Sequence, residues 1–265
     1  MTVIYPKQGV KDDKTGYPIA LLRLAVERSG HKDNIFLQPS IVEVPQNRVL
    51  KLIEQDVVLD VAWYMSNKDR EEHLKAIPIP IYKGYFGYRV FLIHQDNTEL
   101  FSKSLSLEKL QKKLIGVQGH DWPDLEILRH NGFKMTSSPS YRGMFDMLDR
   151  KRVDFFPRSL LEAWLEESRF PEFNLIVDDD LLLYYPVAVF FFVNKNNKKL
   201  ANIIESGLRK AIADGSFDLL FEAVQDDFLS RTDIANRRII HLENPFFNHK
   251  DNPLLAQPPQ LKTIQ

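Results

Sequence analysis

The segment from Ile77 to Ile93 constrains the fold more than any other stretch of the chain. It reads Ile-Pro-Ile-Pro-Ile-Tyr-Lys-Gly-Tyr-Phe-Gly-Tyr-Arg-Val-Phe-Leu-Ile, and its two prolines remove backbone donors and disfavour helix in the residues before them. Its second half is a run of β-branched and aromatic residues, which favours extended structure. A similar run spans Leu183 to Asn194. Because the elements between the two runs form a separate series, we predict a chain that leaves one lobe, builds a second lobe and returns.

The length of the chain fits this division. At 265 residues, the chain is long for one compact core and sufficient for two lobes. We therefore expect a first lobe of residues 1–86 and 188–265 and a second lobe of residues 87–187, joined by two hinge crossings.

The pattern of apolar residues predicts alternating strands and helices in the first lobe. The expected elements are a strand at Val3 to Tyr5, a helix at Tyr17 to Gly30, an extended segment at Ile35 to Val44, a helix opened by Pro45, and a strand at Val57 to Trp63. This alternation is typical of sheets covered by helices, so the predicted fold class is α/β, with a mixed sheet and flanking helices in each lobe.

Capping residues and apolar stripes predict the elements that follow. For the second lobe we expect a helix capped by Ser106, a strand at Leu114 to Gln118, a helix at Trp122 to His130 capped by Asp121, a helix from Ser140, a strand at Val153 to Phe156, and a helix opened by a capping box of Ser159 and Glu162. The return to the first lobe carries two more helical stripes, from Leu200 to Ile212 and from Phe217 to Val224, and a candidate strand at Ile239 to Leu242.

Composition excludes several classes of function. A net charge of −1 argues against a nucleic-acid-binding protein, and the absence of cysteine excludes thiol chemistry, disulfides and cysteine-ligated metal. The longest apolar run, Tyr184 to Val193, is far shorter than the ~20 residues of a membrane-spanning helix. The sequence contains no nucleophile elbow and no HExxH helix, and the acidic run at residues 178–180 is typical of a solvated turn. The first residues lack the features of a secretory signal, so we expect either a cytoplasmic protein or a chain that begins where a signal was removed.

Five segments in order resemble a known family. They are Ser106-Leu-Glu-Lys-Leu, Ile115-Gly-Val-Gln-Gly, Tyr141 to Leu148 ahead of Arg152-Val-Asp-Phe, Leu200-Ala-Asn-Ile-Ile-Glu-Ser-Gly-Leu, and Ala213-Asp-Gly-Ser-Phe. The chain resembles the type 2 periplasmic substrate-binding proteins, specifically the extracellular solute-binding family that includes amino-acid receptors. The resemblance implies a periplasmic-binding-protein-like type II fold, a monomer without cofactor, and two lobes that close over a small solute. It also implies a periplasmic location and delivery of the solute to the permease of an ABC-type transporter.

The resemblance assigns a carboxylate-binding role to Arg70. The family has an arginine shortly before the crossover to the second lobe, and Arg70 stands there in Ser66-Asn-Lys-Asp-Arg-Glu-Glu. A guanidinium can donate two parallel hydrogen bonds to a carboxylate, which a lysine cannot do. The alternative is an exposed arginine that pairs with Glu71 or Glu72.

The second lobe departs from the family pattern at Arg158. Amino-acid receptors carry an acidic residue near this position, where it binds the amino group of the solute, whereas this chain has Phe156-Pro-Arg-Ser. The departure argues against an ordinary α-amino acid as the solute. Arg158 and Ser159 precede a predicted helix start, a location that favours an anion, so we expect Arg70 and Arg158 to face one cleft and to select an anionic organic solute. The alternative for Arg158 is a surface ion pair with Glu162.

The remaining candidate ligand-binding residues are a turn and a set of aromatic side chains. The turn comprises Gln118, Gly119 and His120, where the family offers hydrogen bonds to the ligand and where glycine would permit close approach. His120 lacks partners at zinc spacing, so no metal site is expected. Four aromatic residues near strand ends could line the cleft or pack in the core: Tyr5, Trp63, Tyr82 and Trp122.

Three functions are compatible with these features. We expect a solute-binding protein that binds reversibly, without turnover. The alternatives are the ligand-sensing domain of a membrane signalling receptor and a dehydratase-like enzyme on the same scaffold, because a fold does not fix a function.

Overall fold

The computed structural model describes residues 1–7, 16–41, 46–247 and 255. Its strands are, in chain order, β1 (Thr2–Tyr5), β2 (Phe36–Pro39), β3 (Val61–Met65), β4 (Leu74–Ile77), β5 (Tyr88–His94), β6 (Ile115–Gly119), β7 (Lys134–Ser138), β8 (Phe156–Ser159), β9 (Leu175–Val177), β10 (Leu181–Tyr184), β11 (Val189–Asn194) and β12 (Arg238–His241). Its α-helices are α1 (Gly16–Ser29), α2 (Gln46–Glu54), α3 (Lys68–His73), α4 (Leu107–Lys112), α5 (Pro123–His130), α6 (Tyr141–Asp149), α7 (Ala163–Arg169), α8 (Lys198–Ala213) and α9 (Ser216–Thr232). The α/β fold class is confirmed.

The described residues divide into two compact units. The first unit contains residues 1–84 and 188–226, and the second contains residues 85–187 and 227–247. The first two boundaries lie close to the predicted ones, but the predicted first lobe also included residues 227–247. These residues belong to the second unit because β12 pairs in parallel with β10 there. The helix α9 therefore begins in one unit and ends in the other.

The first unit is built on two sheets and a pair of helices. Strands β1 and β2 pair in parallel, and β11 lies between β3 and β4 with antiparallel pairing on both sides. Helices α1 and α8 pack closely at Gly207, where a Cβ atom would lie only 1.8 Å from the carbonyl oxygen of Ala25. Glycine is therefore required at this helix crossing.

The second unit contains a mixed sheet that positions the candidate site. Its strand order is β12-β10-β5-β8, with β9 also paired to β5, and β6 pairs in parallel with β7. A bridge between Gly116 and Phe155 joins β6 to the residues just before β8. The pairing register places Arg89, Ser159 and Gln118 on one face of these strands and Arg158 on the opposite face, because side chains alternate along a strand.

The segment that suggested the first crossing is extended only at its ends. It contributes the last residue of β4 and then most of β5, and between them lies a series of turns. Lys83 and Gly84 have φ values of 50° and 84°, which a strand cannot contain. The second extended run is likewise divided into β10 and β11, with Pro186 between them.

Two predicted helix caps are wrong. Asp121 does not cap α5, whose N-cap is Trp122 without a side-chain hydrogen bond, because Pro123 occupies the first helical position. Ser159 lies inside β8, and α7 begins only at Ala163, so the capping box does not form. The observed strand β8, at Phe156–Ser159, accordingly lies further towards the carboxyl end than the strand predicted at Val153 to Phe156. By contrast, Ser106 caps α4 as predicted, and α6 starts next to Ser140 as predicted, with the Ser140 side chain as its cap.

Several predictions fall at or beyond the limits of the described chain. The polar loop before α1 lies mostly outside the described residues, as do residues 42–45 with the expected helix-opening Pro45. In the described chain, no helix is both long and apolar enough to cross a membrane.

Candidate functional site

Arg158 forms the centre of a buried ionic cluster on one face of the second-unit sheet. Its Nε and Nη2 atoms both donate to the carboxylate of Glu166 at 2.6 Å, and Nη2 also donates to Glu162 at 2.9 Å. Tyr141 donates its hydroxyl to the same Glu166 at 2.6 Å. The paired geometry with Glu166 is the strongest arrangement available to an arginine and a carboxylate.

Aromatic rings enclose the guanidinium of Arg158. Its central carbon lies 4.7 Å from the ring centroid of Trp122 and 5.1 Å from that of Phe156. The Trp122 ring also lies against Gly119, where a Cβ atom would come within 2.6 Å of it. Gly119 therefore does permit a close approach, but the approaching group is a side chain of the same unit.

The three charged members of this cluster differ in their contact with solvent. The side chains of Arg158 and Glu166 are each 8% exposed, whereas that of Glu162 is 35% exposed. Burial raises the pKa of Glu162 to about 6, with the Arg158 guanidinium opposing the shift and the Glu166 carboxylate adding to it. Burial acts to lower the pKa of Arg158, but Glu166 and Glu162 outweigh it and raise that pKa well above its ordinary value. Glu162 is therefore the accessible carboxylate of the cluster.

A second arginine lies on the opposite face of the same strands. Arg89 is 1% exposed, and its Nη2 lies 2.7 Å from Asp124 Oδ1 in an ion pair. Its Nε donates to the Tyr185 hydroxyl at 2.8 Å, and that hydroxyl donates to Asp124. Burial raises the pKa of Tyr185, and Asp124 contributes to the shift, so the phenol remains neutral. Arg89, Asp124 and Tyr185 thus form a buried, charge-balanced triad.

Sequence reasoning did not identify this triad or Glu166, although it named Glu162 as an alternative partner of Arg158. Arg89 lies in the predicted extended run, where an arginine amid apolar residues was the signal that it would be buried and would need a partner. Its partners, Asp124 and Tyr185, lie far from it along the chain, so no local pattern links the three residues.

The comparisons with known proteins concern the fold. No protein-family model matches the chain, and the search of the curated proteins found no match. An amino-acid ABC transporter substrate-binding protein from Streptococcus pneumoniae, solved with bound L-arginine, superposes with a TM-score of 0.61 at 16% identity, over 84% of this chain and 93% of that chain. A histidine kinase sensor domain with similarity to periplasmic binding proteins gives 0.59 at 14% identity, over 86% and 96%.

This chain has the type 2 periplasmic-binding-protein fold. The expectation from the sequence resemblance is confirmed at the level of fold. The same fold also occurs in an ancestral amino-acid-binding protein described as a precursor of cyclohexadienyl dehydratase, which superposes with a TM-score of 0.58 at 16% identity, over 84% of this chain and 94% of that chain. Proteins of this fold thus include transport, sensory and enzyme-related examples, and the solute must be inferred from the residues of this chain.

Within this binding-protein fold, the predicted site residues separate into two sets. The first unit carries Tyr5, Trp63, Arg70 and Tyr82, and the second unit carries Gln118, Gly119, His120, Trp122, Arg158 and Ser159.

Arg70 is buried near the start of α3. The Asn67 side chain caps this helix by accepting a hydrogen bond from the Arg70 backbone at 2.9 Å. Arg70 is 6% exposed, so the alternative of an exposed arginine is wrong. Its Nη1 donates to the carbonyl of Met65 at 2.5 Å, and its guanidinium lies 5.7 Å from the ring centroid of Tyr64. The helix start and β3 therefore fix the arginine on the first unit.

The first-unit aromatic residues pack against other aromatic residues. The ring centroids of Tyr5 and Trp63 are 6.3 Å apart, and Trp63 also meets Phe191 edge-on at 6.2 Å. Tyr82 lies 5.4 Å from the ring of Tyr17. These contacts favour the core-packing interpretation for Tyr5 and Trp63, which are both buried.

The polar residues of the predicted second-unit turn have different environments. The His120 side chain is 47% exposed, with Nδ1 3.7 Å from Asp121 Oδ1. Gln118 is fully buried, and its amide nitrogen donates to the Pro157 carbonyl at 2.8 Å. Ser159 is also fully buried, and its hydroxyl accepts from the Leu161 backbone at 3.3 Å. No metal-binding group of three or more His, Cys, Asp or Glu residues occurs in the part of the chain that the structure describes.

Proposed function

We propose that this chain is an extracytoplasmic solute-binding protein for a small organic solute that carries a carboxylate, and that it delivers this solute to an ABC-type transporter. The observation that supports the proposal most directly is its fold, which it shares with an amino-acid ABC transporter substrate-binding protein that was solved bound to L-arginine. Binding is reversible. The solute favours the closed arrangement of the two units because it makes contacts there that the open arrangement lacks.

Arg70 is the proposed carboxylate-binding residue. It occupies the position at which the resembling family has its carboxylate-binding arginine, and α3 and β3 hold it in place. A preorganised guanidinium loses less conformational freedom when a ligand binds, which favours affinity.

In our proposal, the second-unit group that contacts a charged group of the solute is Glu162 and not Arg158. The Glu166 carboxylate neutralises Arg158, so that guanidinium has little remaining attraction for an anion. When Glu162 is ionised, Arg158 and the two glutamates carry a net charge of −1, and Glu162 is their most exposed member. The cluster therefore suits a positively charged or hydrogen-donating group, and the solute that fits both units is zwitterionic.

The test is a thermal-shift screen of amino acids, organic acids and short peptides, because a bound solute raises the unfolding temperature by mass action. For the solute identified, Arg70→Ala should weaken binding about ten- to a hundredfold, since a hydrogen bond to a charged group is worth ~1.5 to 3 kcal/mol. Arg70→Lys should recover part of this loss. The matched control is Arg209→Ala, which removes an exposed first-unit arginine that pairs only with Glu205 among the contacts described.

The pH dependence of the affinity provides a second test with the same solute. Because the pKa of Glu162 is about 6, affinity should fall as the pH is lowered through this value, and Glu162→Gln should weaken binding at pH 7 and flatten the profile. Equal affinities of the parent and Arg70→Ala proteins would contradict the proposal. Conversion of the solute to a product would instead favour the enzyme alternative.

A further inference from the structure

Arg158 carries donor hydrogens that no described residue uses. A guanidinium has one N–H group on Nε and two on each terminal nitrogen. The paired contact with Glu166 engages Nε and one hydrogen of Nη2, and the contact with Glu162 engages the other hydrogen of Nη2. Among the described residues, Nη1 makes no hydrogen bond. Both of its N–H groups therefore lack an acceptor.

The unpaired nitrogen Nη1 retains contact with solvent. The Arg158 side chain as a whole is 8% exposed. Within the described chain, fully buried polar atoms without a hydrogen-bond partner occur only in Arg89 and Gln118, so Nη1 of Arg158 is not fully buried. A solute can therefore reach this donor from solvent.

Glu162 offers an acceptor beside this donor. Its Oε2 accepts from Nη2 of Arg158 at 2.9 Å, and Nη2 shares its carbon atom with Nη1. The Glu162 side chain is 35% exposed, and its Oε1 makes no hydrogen bond to any described residue. A carboxylate has about four lone-pair sites, so Glu162 can accept further hydrogen bonds. The cluster thus presents a free donor and a free acceptor next to each other.

The charge of the cluster defines the groups that fit these two atoms. Arg158, Glu162 and Glu166 together carry a net charge of −1 when Glu162 is ionised, so an anion on Nη1 would be repelled. Nη1 consequently suits a neutral oxygen, and Glu162 suits an ammonium group. Because the two protein atoms are neighbours, the two solute groups must be neighbours as well. An ammonium and a carbonyl on adjacent carbon atoms meet this condition.

We propose that Glu162 and Nη1 of Arg158 recognise an α-amino carbonyl group, with the ammonium on Glu162 and the carbonyl oxygen on Nη1. The inference rests on the proposed function, which assigns the carboxylate of the solute to Arg70. A free α-amino acid has no neutral carbonyl next to its ammonium, whereas a peptide has one at its amino terminus. The solute class that satisfies all of these groups is a short peptide with free termini.

The test compares glycylglycine, 5-aminolevulinate and 5-aminopentanoate by titration calorimetry. All three have an ammonium and a carboxylate at the ends of a chain of equal length, but 5-aminopentanoate lacks the carbonyl next to the ammonium. The parent protein should bind glycylglycine and 5-aminolevulinate about ten- to a hundredfold more tightly than 5-aminopentanoate, because the last compound leaves a donor of a charged group unpaired.

Two variants separate the roles of the donor and the acceptor. Arg158→Lys keeps a positive charge for Glu166 but removes Nη1, so the folded variant should bind glycylglycine and 5-aminopentanoate about equally, with little change for the latter. Glu162→Gln should weaken all three probes about tenfold, because each carries the ammonium, and should preserve the preference for the carbonyl. The control is Arg129→Lys, which changes an exposed arginine paired with Glu126 and should alter neither quantity.

The possible failures are distinguishable. A parent that binds glycylglycine and 5-aminopentanoate equally would overturn the inference and leave the proposed function intact. A parent that binds none of the three probes would also overturn it, and the solute screen would then decide the proposed function independently. A preference that persists in Arg158→Lys would exclude Nη1 as its source. If that variant does not fold, a crystal structure of the glycylglycine complex decides. We expect the carbonyl oxygen within hydrogen-bond distance of Nη1, and water alone at that atom would overturn the inference.

Discussion

Arg158 and Glu166 illustrate how a buried ion pair depends on both of its members. Each side chain is 8% exposed, and the pair is joined by two hydrogen bonds of 2.6 Å. Removal of the arginine would leave the Glu166 carboxylate buried with only the Tyr141 hydroxyl among its described donors. The free-energy cost of burying such an unpaired charge exceeds the net stabilisation that the ion pair provides.

We therefore expect Arg158→Met to lower the free energy of unfolding by ~3 to 5 kcal/mol. Urea denaturation measures this change. The control is Arg150→Met, which breaks the exposed pair with Asp146 and should cost at most ~1 kcal/mol, because solvent screens exposed charges. Equal losses in the two variants would show that the Arg158 cluster is not effectively buried.

Side-chain chemistry alone suggested candidate residues for the site, but it did not predict the partners of those residues. The sequence indicated that Arg158 was unusual, and one alternative paired it with Glu162, which the structure confirms at 2.9 Å. That contact was expected at the surface, because the sequence does not show that Trp122 and Phe156 would enclose the guanidinium. Burial depends on residues brought together by the fold, and it decides whether an arginine is available to a ligand.

At the scale of elements, the contact between α1 and α8 depends on one glycine. The backbone of Ala25 approaches Gly207 so closely that any side chain would collide with a carbonyl oxygen, which cannot move without shifting α1. Other residues at this interface could be exchanged for apolar groups of similar volume, but Gly207 could not.

Gly207→Ala should consequently destabilise the protein by about 2 kcal/mol or more, although alanine is the better helix former. Gly16→Ala is the matched comparison, since Gly16 lies at the start of α1 and, outside its chain neighbours and its own helix, no atom of the described residues lies within 4 Å of the position that its Cβ would occupy. That change should be neutral or should stabilise by up to ~1 kcal/mol. Thermal unfolding of both variants tests the pair, and a stable Gly207→Ala protein would contradict the described packing.

Elements with strong local signals were predictable, and those set by pairing were not. The apolar stripes of α6 and α8 and the serine cap of α4 were identified because their determinants lie within a few residues. Strand β7 was missed because Lys-Met-Thr-Ser-Ser is polar and becomes a strand through its parallel pairing with β6. Ser159 had the spacing of a helix cap, yet pairing with Arg89 on β5 places it in a strand.

At the scale of the whole molecule, residues beyond α9 complete the second unit. Strand β12 extends the sheet next to β10, and Arg237 is 7% exposed and donates hydrogen bonds to the carbonyls of Asp178, Leu181 and Thr232. Loss of this segment would remove both a strand and a buried donor from the second unit.

A chain that ends after Thr232 should show faster amide hydrogen exchange in β10, because its parallel partner is gone. Exchange in β3 and β11 should be unaffected, since these strands belong to the first unit. Mass spectrometry of the exchanged peptides measures both regions in one experiment. Unchanged protection in β10 would mean that β12 does not stabilise the sheet.

Neither unit is encoded by a continuous stretch of the chain, and this governs when each can fold. Synthesis produces β3 and β4 early, but the strand that lies between them, β11, follows only after residues 85–187 have been made. The second unit likewise cannot be completed before β12 has been synthesised, and β12 is nearly the last described element. Native contacts between residues so distant in sequence form slowly. The native state of either unit therefore becomes accessible only when most of the polypeptide has left the ribosome.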